Sequence, residues 1–399
     1  MINEVLKRKA DEYENYVIQL RREFHENPEI ASKEEWTSKR IIQEIEKLNL
    51  PYEMVSTTGL IATLDTGREG KHVALRADID ALPMNENVNN LNSERTCISK
   101  KEGYMHACGH DAHMAMAIGS MKVLNDIKDD LNGIIYFCFE EGEETGTGKY
   151  GMLEALGKKK IDAVWGIHVY SGLESGKISV EEGPRMAGAA GIDVTVIGKG
   201  GHGSRPDLSI SPINAAAGMI QNLNSAFVNQ IDANETVTLG IGTINSGSLS
   251  NIIPDTANFT GSMRFFNVEE GEKAVRILKE VCEATAKMHH CEVEYKENYV
   301  EVLVEPVIND SKYSALAVES LNEVLPEGTV DLCPKWYASE SYSEYTKRYP
   351  AVLAFLGINN KEKGTGAEHH NQYFDVDEDV LKIGVLSTTK FATSVINQK

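Results

Sequence analysis

Several separated stretches of this chain carry residue types that bind metals or move protons. The segment His106-Ala107-Cys108-Gly109-His110-Asp111-Ala112-His113 sets a thiol, three imidazoles and a carboxylate close together. Asp78-Ile79-Asp80, Glu140-Glu141-Gly142-Glu143-Glu144, His168 and Glu368-His369-His370 add further carboxylates and imidazoles. Thiolate, imidazole and carboxylate are the ligand set of borderline divalent ions, with Zn²⁺ held at roughly 2.0–2.3 Å. Cys108 and His110, two apart in a turn before a helix, can point to one side. The donors outnumber what one ion needs, and two ions about 3.5–4 Å apart activate a bridging water and polarise a carbonyl. Hydrolysis also needs a general base that is not itself a ligand. The Glu143-Glu144 pair supplies both roles, one carboxylate on the metal and its neighbour taking the proton. Any one of these residues alone reads more blandly: a lone Cys or His as packing, Glu140 to Glu144 as a solvated acidic turn. His113, inside the helix, has no need to join the site.

The elements that must position these groups are legible from apolar runs. Val73-Ala74-Leu75, the run 134–139, Ala163-Val164-Trp165-Gly166-Ile167 and Val352-Leu353-Ala354-Phe355-Leu356 read as buried strands of a mostly parallel sheet. Asp78, the 140–144 cluster and His168 each follow one such run, and a Gly-rich loop leads from the last to His369-His370. Ligands of open parallel sheets gather at those carboxyl ends. The opening stretch to Asn49 reads as two amphipathic helices, with Val17, Leu20 and Phe24, then Ile41, Ile45 and Leu48, at helical spacing. From about Ala190 the texture changes to four strands (192–197, 236–244, 257–266, 291–295) and two helices (212–227, capped by Ser211 with Pro212 first, and 269–288). The expected class is therefore α/β. A catalytic domain of residues 1–186 and 300–399 carries an inserted α+β lid of residues 187–299, two helices on a four-stranded sheet. Gly198-Lys199-Gly200-Gly201-His202-Gly203 fits the dinucleotide pattern GxGxxG, but Ser204-Arg205-Pro206 intervene before any helix, so these glycines instead suit a mobile loop presenting His202.

Bulk properties narrow the partners. Length 399 suggests two or three compact units. Hydrophobic residues at 41% and charged residues at 25% are those of a folded soluble protein. Forty basic against sixty acidic residues leave a net charge of −20, which repels nucleic acid and anionic membrane. No apolar stretch reaches the roughly 18 residues of a membrane span, and the start lacks a signal-peptide layout. With six dispersed cysteines and no CxxC, a cytoplasmic, reduced protein is expected.

Taken in order, Arg22 through Glu29, Arg76-Ala77-Asp78-Ile79-Asp80-Ala81-Leu82-Pro83, Met105 through His113, Gly166-Ile167-His168, Gly201 through Pro206, Asn251 through Asp255 and His370 through Asp375 resemble the dinuclear-metal amidohydrolases of peptidase family M-twenty. The branch is that of hippurate hydrolase, plant auxin-conjugate hydrolases and N-acetyldiaminopimelate deacetylase. The resemblance implies metal ligands at Cys108, His110, Glu144, His168 and His370, and Glu143 as general base. Asp78 would steady a ligand. In the lid, His202 would stabilise the oxyanion, reaching the site of a partner subunit, while Asn251 and Arg264 would hold the substrate carboxylate. Two divalent ions (Zn, Mn, Co or Ni), a small N-acyl amino acid as substrate and a homodimer through the lid follow from the same resemblance.

Three departures from the family pattern matter. The acidic block is Glu140-Glu141-Gly142-Glu143-Glu144 instead of Gln-Pro-Ala-Glu-Glu, so Glu140 and Glu141 compete on register. His369 competes with His370, which is preferred for its spacing to Phe374. The Asn-rich segment 87–100, with Cys97, replaces a short connection and is expected to alter the pocket mouth. The reading is a metal-dependent hydrolase of N-acyl amino acid amides. Its rivals are a metallo-carboxypeptidase or dipeptidase on the same site, a thiol hydrolase using Cys108 with His110, and a catalytically silent metal-binding protein.

Overall fold

The computed structural model describes residues 2–398. The chain divides into two units. The first runs up to Gly183 and includes Ile308–Pro334 and the chain from Glu344 onward; the second comprises Pro184–Val307 and Lys335–Ser343.

In the first unit two helices, α1 (Ile2–Glu26) and α2 (Glu35–Lys47), precede strands β1 (Tyr52–Met54), β2 (Leu60–Asp65) and β3 (His72–Asp78). Helix α3 (His110–Asp126), strand β4 (Ile134–Glu140), helix α4 (Lys149–Gly157), β5 (Ala163–Glu174) and β6 (Ile178–Ser179) follow. The later strand Ala351–Asn359 completes a seven-stranded sheet of order β1, β2, β4, β3, β5, Ala351–Asn359, β6. Its four central strands are parallel, while β1, β2 and β6 add antiparallel edges. The central strands are apolar throughout because both faces are covered. Val352 through Ile358 are nearly all without solvent exposure. Helix α3 is buried on almost every side, which explains its weak amphipathic pattern. It starts at Gly109, whose φ of +91° and 2.2 Å clearance to Val169 Cγ2 admit no side chain.

The second unit has its own core, built around Ile192, Val194, Val196, Met219, Leu223 and Phe259. Helices Pro212–Gln230 and Val268–Met288 accompany the strands Gly188–Ile197, Val237–Ser246, Thr256–Phe265 and Glu292–Tyr295. One feature differs from the four-stranded expectation. Val302–Val304 is a fifth strand, pairing with Gly188–Ile197 at Ala189 and Ala190 beyond the end of Glu292–Tyr295. At three residues it is too short to show a period of two. No helix begins at Gly203. Gly201–His202 instead pairs with Ile252–Ile253 as a two-residue ribbon, so the loop expected to be mobile is tied down there.

Candidate metal and catalytic site

The carboxyl ends of β3 and β4, the middle of β5 at His168, the start of α3 and the loop after Ala351–Asn359 converge in the first unit. Donor atoms of Cys108, His110 and His168 lie within 4.8 Å of one another, as do those of Cys108, Glu144 and His370, and those of His110, Glu143 and Glu144. Cys108, His110 and His168 are buried, whereas the His370 side chain is about half exposed.

Backbone and side-chain acceptors fix the two buried imidazoles. His110 Nδ1 lies 2.9 Å from Asp80 O and 3.2 Å from Asp80 Oδ1, so it carries the proton and turns the Nε2 lone pair inward. His168 Nδ1 donates to Val169 O at 2.7 Å, which directs its Nε2 to Cys108 Sγ, 3.7 Å away. Asp80 also accepts the backbone N–H groups of Glu143 and Glu144, both at 3.1 Å. One carboxylate thereby sets the orientation of His110 and of the acidic turn together. Glu34 Oε1 accepts the N–H of Gly142 at 2.8 Å, and Gly142 takes φ +58° to start the turn.

The competing acids are engaged elsewhere. Glu140 receives Arg76 Nη2 at 2.7 Å and the Tyr345 hydroxyl. Glu141 accepts Thr58 N at 2.6 Å and Gly59 N at 3.1 Å. The two late histidines also part. His370 Nε2 lies 3.3 Å from Glu144 Oε1, while His369 is half-buried, accepts the N–H of Ser171 at 3.3 Å and packs on Phe374 with ring centroids 4.7 Å apart.

Two residues underweighted in the sequence reading belong to this cluster. Asp80 is one. The other is His113, read above as a helix residue with no part in the site. Its Nε2 accepts the N–H of Val169 at 3.0 Å, so Nδ1 carries a proton and donates to Asp78 Oδ1 at 2.6 Å. The signal was present, since positions three apart on a helix share a face. The His110 and His113 rings are 5.4 Å apart. Asp78 is further held by Arg76 Nη1 at 2.7 Å, and its Oδ2 sits 3.8 Å from His110 Nε2.

The electrostatics favour a cation. Burial opposes the charged form of His110, yet Asp78 and Asp80 hold its pKa well above the ordinary histidine value. Burial likewise opposes ionisation of Asp78, but His110, His113 and Arg76 keep its carboxyl well below the usual range. A pocket that binds a proton so firmly also attracts a divalent ion in its place. Burial and the neighbouring Glu144 push the Cys108 thiol well up, which disfavours a free thiolate nucleophile. The donor set fits a metal on a second count. His110 Nε2 is buried and makes no hydrogen bond, an arrangement costing roughly 1–3 kcal/mol unless a further partner fills it.

The remaining candidates lie in the second unit. His202 is exposed and accepts Ser204 N and Oγ through Nδ1 at 3.1 and 2.8 Å. Its neighbours Gly201, Asn245, Ser246, Asp255 and Thr256 help line an open cavity of about 870 Å³. Asn251 is exposed and accepts the N–H of Gly203 at 2.8 Å through its carbonyl. Arg264 is part-buried on Thr256–Phe265, with Nη1 donating to Met263 O at 3.1 Å.

Comparison with known proteins agrees with this geometry. Residues 74–394 match the model of Peptidase family M20/M25/M40. "Thermostable carboxypeptidase 2" of Saccharolobus solfataricus is 35% identical over 99% of both chains. "N-acetylcysteine deacetylase" of Bacillus subtilis is 32% identical over 95% of this chain and 97% of its own. Among solved structures, a dinuclear metal binding peptidase of the M20 family from Bacillus subtilis superposes with a TM-score of 0.83 at 28% identity, covering 98% of this chain and all of the other.

Proposed function

The chain belongs to peptidase family M20, and from that premise we propose that it hydrolyses the amide bond of N-acyl amino acids, using Glu143 as general base beside metal ligands Cys108, His110, Glu144, His168 and His370. The observation that carries this reading is the convergence of donors of metal-binding type in overlapping groups within 4.8 Å, Cys108 with His110 and His168, and Cys108 with Glu144 and His370, around the buried His110 Nε2.

Divalent ions bound there supply an activated water and polarise the scissile carbonyl. The thiolate at Cys108 leans towards Zn²⁺, and Mn²⁺, Co²⁺ and Ni²⁺ suit the same mixed set. Glu143 takes the water's proton and returns it to the leaving amine. Its backbone N–H is held by Asp80, which anchors the turn that carries it. Asp78 and Asp80 keep His113 and His110 in single tautomers. His202 carries the oxyanion, and Asn251 with Arg264 binds the free carboxylate of the amino acid. Truncating His202 is expected to reduce turnover while metal content stays normal.

The relative named as a carboxypeptidase favours a second reading on the same residues, release of a C-terminal amino acid from peptides. Metal-stripped protein reloaded with each ion and assayed on acetyl- and aryl-acyl amino acids beside peptide substrates separates the two. Faster cleavage of peptides than of every acyl amino acid would replace the first reading with the second, and inertness of metal-loaded protein towards both panels would remove catalysis.

The edge of Val237–Ser246 that does not face Thr256–Phe265 ends its sheet. An edge strand of that length is a template for pairing, which supports a homodimer through the second unit, measurable by sedimentation. Six dispersed, buried cysteines with no CxxC suit a reducing compartment, and we place the enzyme in the cytoplasm.

A further inference from the structure

Of the five proposed ligands, His370 has the least local support. It lies between Asn359 and the short helix Glu378–Val380, in a stretch without regular secondary structure. Its φ is +59°, in the left-handed region that few non-glycine residues occupy. The backbone N–H of His370 donates to Ala107 O at 2.9 Å, which holds one side of the loop. The other side is held by the segment that departs from the family pattern.

That segment is itself ordered. Asn89 and Glu94 form an antiparallel bridge, Asn90 N donates to Ser93 O, and Asn90 Oδ1 accepts the N–H groups of Asn92 and Ser93, both at 3.0 Å. The result is a small hairpin with a capped turn. From it a row of hydrogen bonds runs to the loop: Leu91 N to Gly364 O at 3.1 Å, Asn92 Nδ2 to Glu362 O at 2.9 Å, and Asn90 Nδ2 to Lys363 O and Asp375 Oδ2 at 2.9 and 3.0 Å. The row ends at Gln372, two residues from His370. Its carbonyl accepts both Asn87 N at 3.1 Å and Arg95 Nη2 at 3.0 Å. Arg95 is almost wholly buried. Its Nε donates to Asn87 O at 2.8 Å, and its Nη1 lies 3.5 Å from both Glu86 Oε1 and Asp375 Oδ1. Such a guanidinium fork fixes direction as well as charge, which an ammonium cannot do.

We propose that Arg95, with the 87–95 hairpin, is a positioning residue for metal binding: it holds the Gln372 carbonyl and thereby presents His370 to the ion that His370 ligates. The inference rests on His370 being a ligand. If the loop were not held, ordering it would be charged against metal binding, and the ion reached by His370 would be held more weakly while the ligands on strand ends and α3 kept theirs.

The test is a double-mutant cycle on the full chain, reading the two stepwise Zn²⁺ dissociation constants by chelator competition. Arg95→Lys keeps a cation between Glu86 and Asp375 but loses the fork that joins Asn87 O to Gln372 O. It is expected to weaken one of the two Zn²⁺ sites about tenfold and leave the other within twofold. His370→Ala is expected to weaken the same site, and in that background Arg95→Lys is expected to add less than twofold. An equal loss from Arg95→Lys with and without His370 would make Arg95 a purely structural residue and overturn the inference. So would wild-type affinities in the single variant. If His370→Ala keeps both ions at wild-type affinity, the ligand assignment fails and the inference falls with it, whereas failure of Arg95→Lys alone leaves the assignment standing. Should Arg95→Lys not fold, Asn90→Ala, which removes the turn cap and the ties to Lys363 and Asp375 but keeps the Arg95 guanidinium, is read in the same cycle, with a loss of about threefold expected at the His370 site.

Discussion

Asp80 and Glu143 separate holding the site from running it. The Asp80 carboxylate accepts from Glu143 N and Glu144 N and faces His110 Nδ1, so Asp80→Ala removes the common acceptor of two proposed ligands, His110 and Glu144, and of the proposed base. Removing such an outer partner of a ligand typically costs 10–100-fold in affinity or activity. Asp80→Ala is expected to lose metal affinity and turnover together, as measured by chelator competition and steady-state kinetics. Glu143→Gln is expected to do the opposite, keeping metal content near normal while kcat falls by about 10²–10⁴, the usual worth of general acid–base help. Retained turnover in that variant would strip Glu143 of its role. The ligand types were legible from the HACGHDAH block and the strand ends, because thiol, imidazole and carboxylate rarely gather without purpose. Asp80 was harder to weigh against Asp78. Both follow the same apolar run, and only the three-dimensional course of the chain beyond β3 shows Asp78 meeting Arg76 and His113 while Asp80 meets the acidic turn.

Helix α1 shows what periodicity reveals and conceals. Val17, Leu20 and Phe24 mark its buried stripe, as their spacing predicts, but the same stripe carries Arg21 and His25, both nearly without exposure. Their partners lie far along the chain, 86 residues away for His25 with Asp111 and 61 for His25 with Glu86, so no local pattern announces them. Both ring nitrogens of His25 face carboxylate oxygens at 2.7 Å, an arrangement that requires the imidazolium. Burial and the charge of Arg21 oppose protonation, yet the hydrogen bonds to Asp111 and Glu86 prevail and lift the pKa from 6.5 to about 8. The folded chain binds this proton more tightly than the unfolded one. The contribution is therefore complete below pH 6.5 and lost as pH rises through about 8, on the order of 2 kcal/mol in all. Denaturant unfolding of the wild type and of His25→Gln across pH 6 to 9 is expected to show a stability gap that narrows from about pH 6.5 upward and is nearly closed at pH 9. A gap independent of pH would mean that His25 is neutral in the folded protein.

At the scale of the molecule, the two units have separate cores, and among the described residues the cluster of donors lies in the first. The texture change near residue 190 marks the start of the second unit in sequence. Its return at 335–343 has no such mark, because the join is made by backbone bonds between distant residues: Trp336 N to Arg185 O, and Ala187 N to Trp336 O and Ala338 O. This division makes metal removal a directional experiment. Ions that bind the folded state alone stabilise it by RT ln(1 + [M]/Kd), about 4 kcal/mol at a thousandfold excess over Kd. In the first unit they also offset the mutual repulsion of Asp78, Asp80, Glu143 and Glu144. Chelation is therefore expected to abolish hydrolysis and lower the unfolding midpoint of the first unit while leaving that of the second unchanged. The tryptophans divide the signal, with Trp36 and Trp165 in the first unit and Trp336 in the second. Fluorescence of Trp336→Phe follows the first unit alone, and that of Trp36→Phe with Trp165→Phe the second. A chelator shift of equal size through both reporters would mean that the units unfold as one body. No shift through either, with hydrolysis intact, would mean that the chemistry needs no metal and would return Cys108 to consideration as a nucleophile.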